Sequence, residues 1–396
     1  MFCIEKLVVT TLILVGGSSC LQSQDLYHQL FQNYDQYKEK TLVSRRFTHD
    51  QISPLIDRLK DDSMFEVTKV GSSIEARSLR LISFGEGDID VLLWSQMHGD
   101  ESTATMALFD IINFFKSDDF QQQKDDMLSR LRIHFLPMLN PDGAQGFTRR
   151  NALDIDINRD AIRLQSPESR TLKKVRDSLE ADFGFNLHDQ STYYNASKTP
   201  KSAAISFLAP AYNYEKDVNA VRERSMKLIA YMNQVLQHLI PGHVGRYNDD
   251  FEPRAFGDNI QKWGTSTVLI ESGGYPDDPD KQFLRKVNFV SIISAIEAIA
   301  NKGYLQNTTE EYFNIPENDR KLFDLKLSNL SYEFLGETYL LDLGINTPQI
   351  ATETAKGYYR KGSIADLGDL TTHYGYESLD ASTYTIVPES LNHAGE

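Results

Sequence analysis

The stretch Val91-Leu92-Leu93-Trp94-Ser95-Gln96-Met97-His98-Gly99-Asp100-Glu101 decides how this chain folds. Its four leading apolar residues read as a buried strand, and apolar residues recur at helical spacing over residues 102–115. Between strand and helix lies His98-Gly99-Asp100-Glu101. There Asp100 is expected to cap the helix, and Glu101 to sit in its first turn at the positive end of the dipole. A histidine and a carboxylate three apart at such a junction point at one spot, as two metal ligands do. Alone the pattern is weak, because many solvated helix starts contain it.

Working outward, the same alternation recurs. Val70-Gly71-Ser72-Ser73 reads as a turn before a strand at 78–84, and residues 131–139 read as a buried strand closed by the turn Asn140-Pro141-Asp142-Gly143. Ser166-Pro167-Glu168 opens a helix. Residues 183–187 form a strand running into His188, and 218–239 carry one apolar helical face. Residues 265–270 form a strand running into Glu271, whose following Gly273-Gly274 lets the backbone turn away sharply. Asp278-Pro279 begins a last long helix that reaches Asn301, with Gly303 just past its end. Alternating strands and helices predict an α/β fold with a largely parallel sheet. His98, His188 and Glu271 all follow strand C-terminal ends, where open α/β sheets place their sites. After about residue 305 long helices give way to short β-type runs, so 25–305 is expected to be the main domain and 306–396 a small β-rich accessory domain.

The 396 residues are 40% apolar and 24% charged, which is globular composition, and the net charge of −15 argues against nucleic acid as a partner. Lys6, the apolar run 7–15 and the small residues that follow read as an export signal over 1–20, too short to span a bilayer, and no later stretch is long and apolar enough to do so. The protein is therefore expected to be exported: periplasmic, secreted, or an outer-surface lipoprotein. Cys20 after Ser18-Ser19 resembles a lipoprotein acceptor, so a lipid anchor there is one expectation and an ordinary cleaved signal the other. Cys3 and Cys20 are the two cysteines and both fall in this leader, so any metal must be held by His, Asp or Glu.

His188 is the best third ligand for a site built on His98 and Glu101; His134, inside a strand, reads as structural, and His243, in a loop, is the backup ligand. Two imidazoles and one carboxylate leave a fourth zinc position open, as catalytic sites require. Glu271 is the candidate base. The segment Thr148-Arg149-Arg150-Asn151-Ala152-Leu153-Asp154-Ile155-Asp156-Ile157-Asn158-Arg159-Asp160 gathers charge around two apolar positions, and arginine forks bind carboxylates bidentately.

With these residues in their order, the sequence resembles the zinc metallocarboxypeptidases, the carboxypeptidase A-like family, over roughly residues 65–300. The resemblance implies a mixed, largely parallel twisted sheet flanked by helices. It implies one Zn2+ per chain on His98, Glu101 and His188, with Asp156 behind His98. Glu271 takes the place of the general base, Arg150 that of the arginine that polarises the scissile carbonyl, and Asn158-Arg159 that of the pair holding the terminal carboxylate. Tyr247 stands at about the right distance before Glu271 for the family's mobile tyrosine, and the specificity pocket falls around Phe256 to Asp258. Asp160 departs from the frequent asparagine. The implied substrate is a peptide with a free C-terminal carboxylate. A cell-wall peptide amidase or an acyl-amino-acid deacylase of the same family, and a non-catalytic peptide-binding protein on the same scaffold, are the alternatives.

Overall fold

The computed structural model describes residues 26–351 and 358–387; the leader and Cys20 lie outside them. An eight-stranded mixed sheet organises the first unit. Its strands are β1 (Glu66–Ser72), β2 (Ser78–Phe84), β3 (Ile89–Ser95), β4 (Leu131–Leu136), β5 (Phe183–Asp189), β7 (Ile205–Leu208), β8 (Val244–Arg246) and β9 (Ser266–Ser272), with the two-residue β6 (Asn195–Ala196) outside the sheet. The spatial order is β1-β2-β4-β3-β5-β9-β7-β8. The central run β4-β3-β5-β9 is parallel, with antiparallel pairings outside it at β2/β4 and β7/β9.

The central strands are buried on both faces, which is why they read as continuous apolar runs rather than alternating ones. The helix Gln282–Asn301 is buried almost all round and packs, with Thr103–Lys116 and Ala220–Leu239, into the larger core. Among the described residues no helix is long and apolar enough to cross a membrane.

Several local expectations shift. Val70 to Ser72 lies within β1, and the turn comes after it, closed by Ser73 and Arg77. The last long helix starts at Gln282 because Lys281 takes a left-handed conformation, while the Asp278 carboxylate reaches forward to accept the Phe283 and Leu284 N–H groups. Lys302, not Gly303, adopts the left-handed turn at its end. Val218 lies outside the helix that Asn219 caps.

The second unit carries a sheet of β11 (Leu322–Phe334), β12 (Glu337–Asn346), β15 (Ser363–Gly368) and β16 (Tyr374–Asp380) in the order β15-β12-β11-β16, with β17 (Thr385–Ile386) also pairing β11. A separate ribbon pairs β13 (Gln349–Ala351) with β14 (Tyr358–Arg360). This unit begins later than residue 306. Tyr312 and Ile315 belong to the first core, the Tyr312 hydroxyl accepts the Ala209 N–H, and β10 (Asn318–Asp319) pairs back onto β6.

Candidate active site

After β3 the chain turns through Gln96, whose φ is +52°, and tightens again where the Glu101 N–H donates to His98 O at 3.1 Å. The helix then starts at Thr103, so neither Asp100 nor Glu101 plays the part expected of it: no side chain caps the helix, and Glu101 lies before its first turn. The extra turn aims the Glu101 carboxylate at two imidazoles instead. His98 Nδ1 lies 2.8 Å from one carboxylate oxygen and His188 Nδ1 2.6 Å from the other, with the Asp189 N–H donating to Glu101 at 3.2 Å. The donor atoms of His98, Glu101 and His188 all fall within 4.8 Å of one another.

Asp156 accepts a hydrogen bond from His98 Nε2 at 3.1 Å, which turns the lone pair of Nδ1 toward Glu101. An imidazole lone pair and a carboxylate oxygen face each other stably only with a cation or proton between them. Two nitrogens and one carboxylate form a zinc donor set, so the residues fit that ion. Without metal, burial disfavours charge on His98, yet Glu101 and Asp156 push its pKa up to about 9. Burial also works against the Glu101 charge, but the two histidines hold it well below the usual carboxylate range.

Close packing of two loops keeps His98 in place. A Cβ on Gly99 would lie 2.0 Å from the Gly143 carbonyl carbon, so the His98 loop sits directly on the short helix Pro141–Gly146 that Asn140 caps. The next loop brings Asp156 to His98 and carries the arginines. Here one expectation is corrected. Arg149, not Arg150, faces the cluster: its Nε and Nη2 donate to Asp156 at 3.1 and 3.0 Å, and Nη1 lies 3.3 Å from Glu101. Arg150 turns outward to the Asp154 carbonyl at 2.9 Å and is not among the described residues lining the cleft. Left-handed turns at Phe147 and Asp154 bracket the two arginines.

A cleft of about 430 Å3 joins His98, Glu101, His188 and Arg149 to Asn158, Arg159, Tyr247 and Glu271. Glu271 stands directly beside His188 in the parallel β5/β9 register. Burial, then the Glu101 charge, raises its pKa well above the ordinary value. Behind the two strand ends, buried Lys281 donates to Ser272 O at 2.8 Å and lies 3.2 Å from Asp189, tying the base strand to the ligand strand. Gly273 and Gly274 do not serve a positive φ. Their hydrogens make room for close neighbours: a Cβ would lie 2.1 Å from Ala203 O and 2.3 Å from the Tyr376 hydroxyl, respectively.

Asn158 Oδ1 accepts the Phe256 N–H at 2.9 Å, and Arg159 Nε lies 3.4 Å from Glu252, leaving this pair at the cleft mouth. Asp160 closes the loop by accepting the Gln165 and Ser166 N–H groups. Tyr247 faces Tyr194 across 6.1 Å between ring centres. Two histidines lie elsewhere. His134 bridges Ser83 and Asp90 at 2.8 Å each, and His243 bonds the Ser202 carbonyl and packs on Tyr275.

The sequence profile of zinc carboxypeptidases matches residues 53–230. Residues 53–230 are therefore similar to the zinc carboxypeptidase family. The chain is 24% identical over 342 residues to carboxypeptidase D of Homo sapiens, an alignment covering 75% of this chain and 23% of that protein. The chain thus spans less than a quarter of the length of that relative. Carboxypeptidase B of Astacus astacus is 31% identical over 100 residues, covering 24% of this chain and 32% of the other. Among solved structures, a metallo-carboxypeptidase from Burkholderia cenocepacia superposes with a TM-score of 0.52 at 15% identity, over 65% of this chain and 70% of that one. The two chains share a fold. Asp258, Asn186 and Tyr194 also line the cleft; of these, only Asp258 was marked in the sequence, in the segment from Phe256.

Proposed function

We propose that this chain is a zinc-dependent carboxypeptidase that hydrolyses the last peptide bond of peptides with a free C-terminal carboxylate. The observation that carries this reading is the meeting, in one cleft, of the His98-Glu101-His188 cluster, the half-buried Glu271 and the Asn158-Arg159 pair. A single zinc bound by those three ligands would acidify a water and polarise the scissile carbonyl. Glu271, with its pKa raised by burial, accepts the proton of that water and returns it to the leaving amine. Arg149 is the donor placed to hydrogen-bond the oxyanion of the tetrahedral intermediate, and Asp156 keeps both Arg149 and His98 oriented. Asn158 and Arg159 hold the terminal carboxylate, so cleavage counts from the C-terminus, and the Tyr247 hydroxyl closes the cleft from the opposite wall.

Arg149→Ala is expected to lower kcat/KM by about 10²–10³-fold, the usual cost of one oxyanion donor. Arg150→Ala, losing only an exposed contact, is expected to stay within about twofold. Steady-state kinetics on both variants, with metal content measured, check this; equal losses would return the role to Arg150.

The inner end of the cleft favours C-terminal side chains that donate hydrogen bonds. Asn186 Oδ1 is buried and accepts none from the described residues, and Asp258 lies nearby. Burial pushes the Asp258 pKa up to about 7 against the Glu252 N–H that its carboxylate accepts; the Glu252 charge adds to the rise and Arg159 opposes it. Its carboxyl therefore gains charge as pH rises through 7. The ratio of kcat/KM for a C-terminal Lys over a C-terminal Leu is expected to climb by up to about tenfold from pH 6 to 8, following the charged fraction. Asp258→Asn flattens that profile; an unchanged slope in the variant assigns it elsewhere. The same donors occur in cell-wall peptides with side-chain amines, which makes murein peptides the second substrate class to assay. Export and a lipid anchor at Cys20 belong to this proposal: labelling with palmitate, abolished by Cys20→Ala, would distinguish an anchored protein from a secreted one.

A further inference from the structure

One wall of the cleft is formed by Gln190, Ser191 and Tyr194. Its outer side rests on β10 and on the C-terminal β-unit. Asn318 donates to Gln190 Oε1 at 2.8 Å and accepts from Ser206 at 2.8 Å. The Tyr376 hydroxyl donates to Thr192 O at 2.6 Å, and the Leu322 N–H donates to Tyr193 O at 3.2 Å. The Tyr193 hydroxyl donates to Asp324 at 2.9 Å, and that same oxygen takes the Thr347 N–H and hydroxyl. Lys321 N–H donates to Asn195, and β10 pairs β6 just beyond. Successive tyrosines thus point opposite ways, Tyr193 into the β-unit and Tyr194 into the cleft against Tyr247. The Tyr376 hydroxyl also occupies the space that a side chain at Gly274 would need, so the β-unit touches the turn after the Glu271 strand as well.

We propose that the C-terminal β-unit, with β10 leading into it, is part of the substrate site: Asn318 of β10 and Asp324 and Tyr376 of the unit are positioning residues that fix the wall bearing Gln190 and Tyr194 and thereby set the affinity for peptide. The inference rests on the carboxypeptidase reading above. None of the three is among the residues that hold the metal, the base or the terminal carboxylate, so the effect falls on binding rather than on bond cleavage. A wall held by so many directed hydrogen bonds loses its fixed position when the hydroxyls or the shared acceptor are removed.

The test uses the full chain loaded with zinc, a tetrapeptide with a free C-terminus, and the variants Tyr376→Phe, Tyr193→Phe, Asp324→Ala and Asp324→Asn. KM for the tetrapeptide should rise roughly three- to tenfold in the first three, with kcat within about twofold, as expected for lost binding shared by ground and transition states. Asp324→Asn, which keeps an acceptor oxygen, should recover most of the wild-type KM. Zinc content and melting temperature are measured in parallel. Unchanged KM in folded variants, a fall in kcat alone, or loss of zinc would overturn the proposal. So would unfolding of even the two single-hydroxyl variants, since it would make the contacts a matter of stability. Wild-type protein without peptidase activity would instead overturn the carboxypeptidase reading itself, whereas active wild type with unaltered variants removes only the role of the β-unit.

Discussion

Glu271→Gln is expected to lower kcat by about 10³–10⁴-fold while zinc stays bound, the range found when a positioned general base is lost. Glutamine is nearly isosteric and makes the same approach to the water, but it does not take the proton. Glu271 is not one of the three clustered donor residues, so its replacement leaves the His98-Glu101-His188 set intact. Its place beside His188 is fixed by the β5/β9 register and by Lys281 behind both strand ends, neither of which depends on its carboxylate. Burial is what makes the residue suitable: a carboxyl held well above its ordinary pKa is a stronger base when ionised and a ready acid once protonated. Metal analysis beside single-turnover kinetics checks the prediction. A variant that loses zinc along with activity would show Glu271 to be a ligand instead, and one that keeps full activity would remove it from the chemistry.

Arg159→Met is expected to reduce kcat/KM by about 10²–10³-fold on substrates with a free C-terminus and to leave the slow turnover of amidated peptides within about twofold. Truncating one partner of a hydrogen-bonded charge pair costs this much when the other charge has no replacement. Among the described residues the guanidinium contacts Glu252 at 3.4 Å and the Asn158 carbonyl at 2.7 Å, contacts that a substrate carboxylate outcompetes or shares. Asn158 is anchored by the Phe256 N–H and keeps its half of the grip in the variant, which sets the lower end of the range. Equal losses on acid and amide substrates would contradict an exopeptidase that recognises the terminal charge.

Much of the site was legible because its residues sit at strand ends, and strand ends are marked locally. His98, His188 and Glu271 each follow an apolar run, and parallel packing brings three such ends together without further information. The arginine was not legible in the same way. Arg149 and Arg150 are adjacent and chemically identical, and the left-handed residues that bracket them, Phe147 and Asp154, carry no strong sequence mark. A similar difficulty hid the start of the last long helix: Asp278 does act as a cap, but across an intervening left-handed Lys281. The glycines after Glu271 were noticed for the wrong physical reason. They are small because Ala203 and Tyr376 press against them, and the second neighbour comes from a strand a hundred residues away in a unit whose composition suggested independence. For the same reason the accessory unit looked as if it began at residue 306, whereas Tyr312 and Ile315 are claimed by the first core.

The central claim is that the chain removes residues one at a time from a free C-terminus with zinc bound at His98, Glu101 and His188. Incubating zinc-loaded protein with one peptide in acid and amide forms, and following the products by mass spectrometry, tests it most directly. The account predicts stepwise loss of single C-terminal residues from the acid, little change in the amide, and no reaction after the metal is chelated. Internal cleavage, equal processing of both forms, or undiminished activity without metal would contradict it.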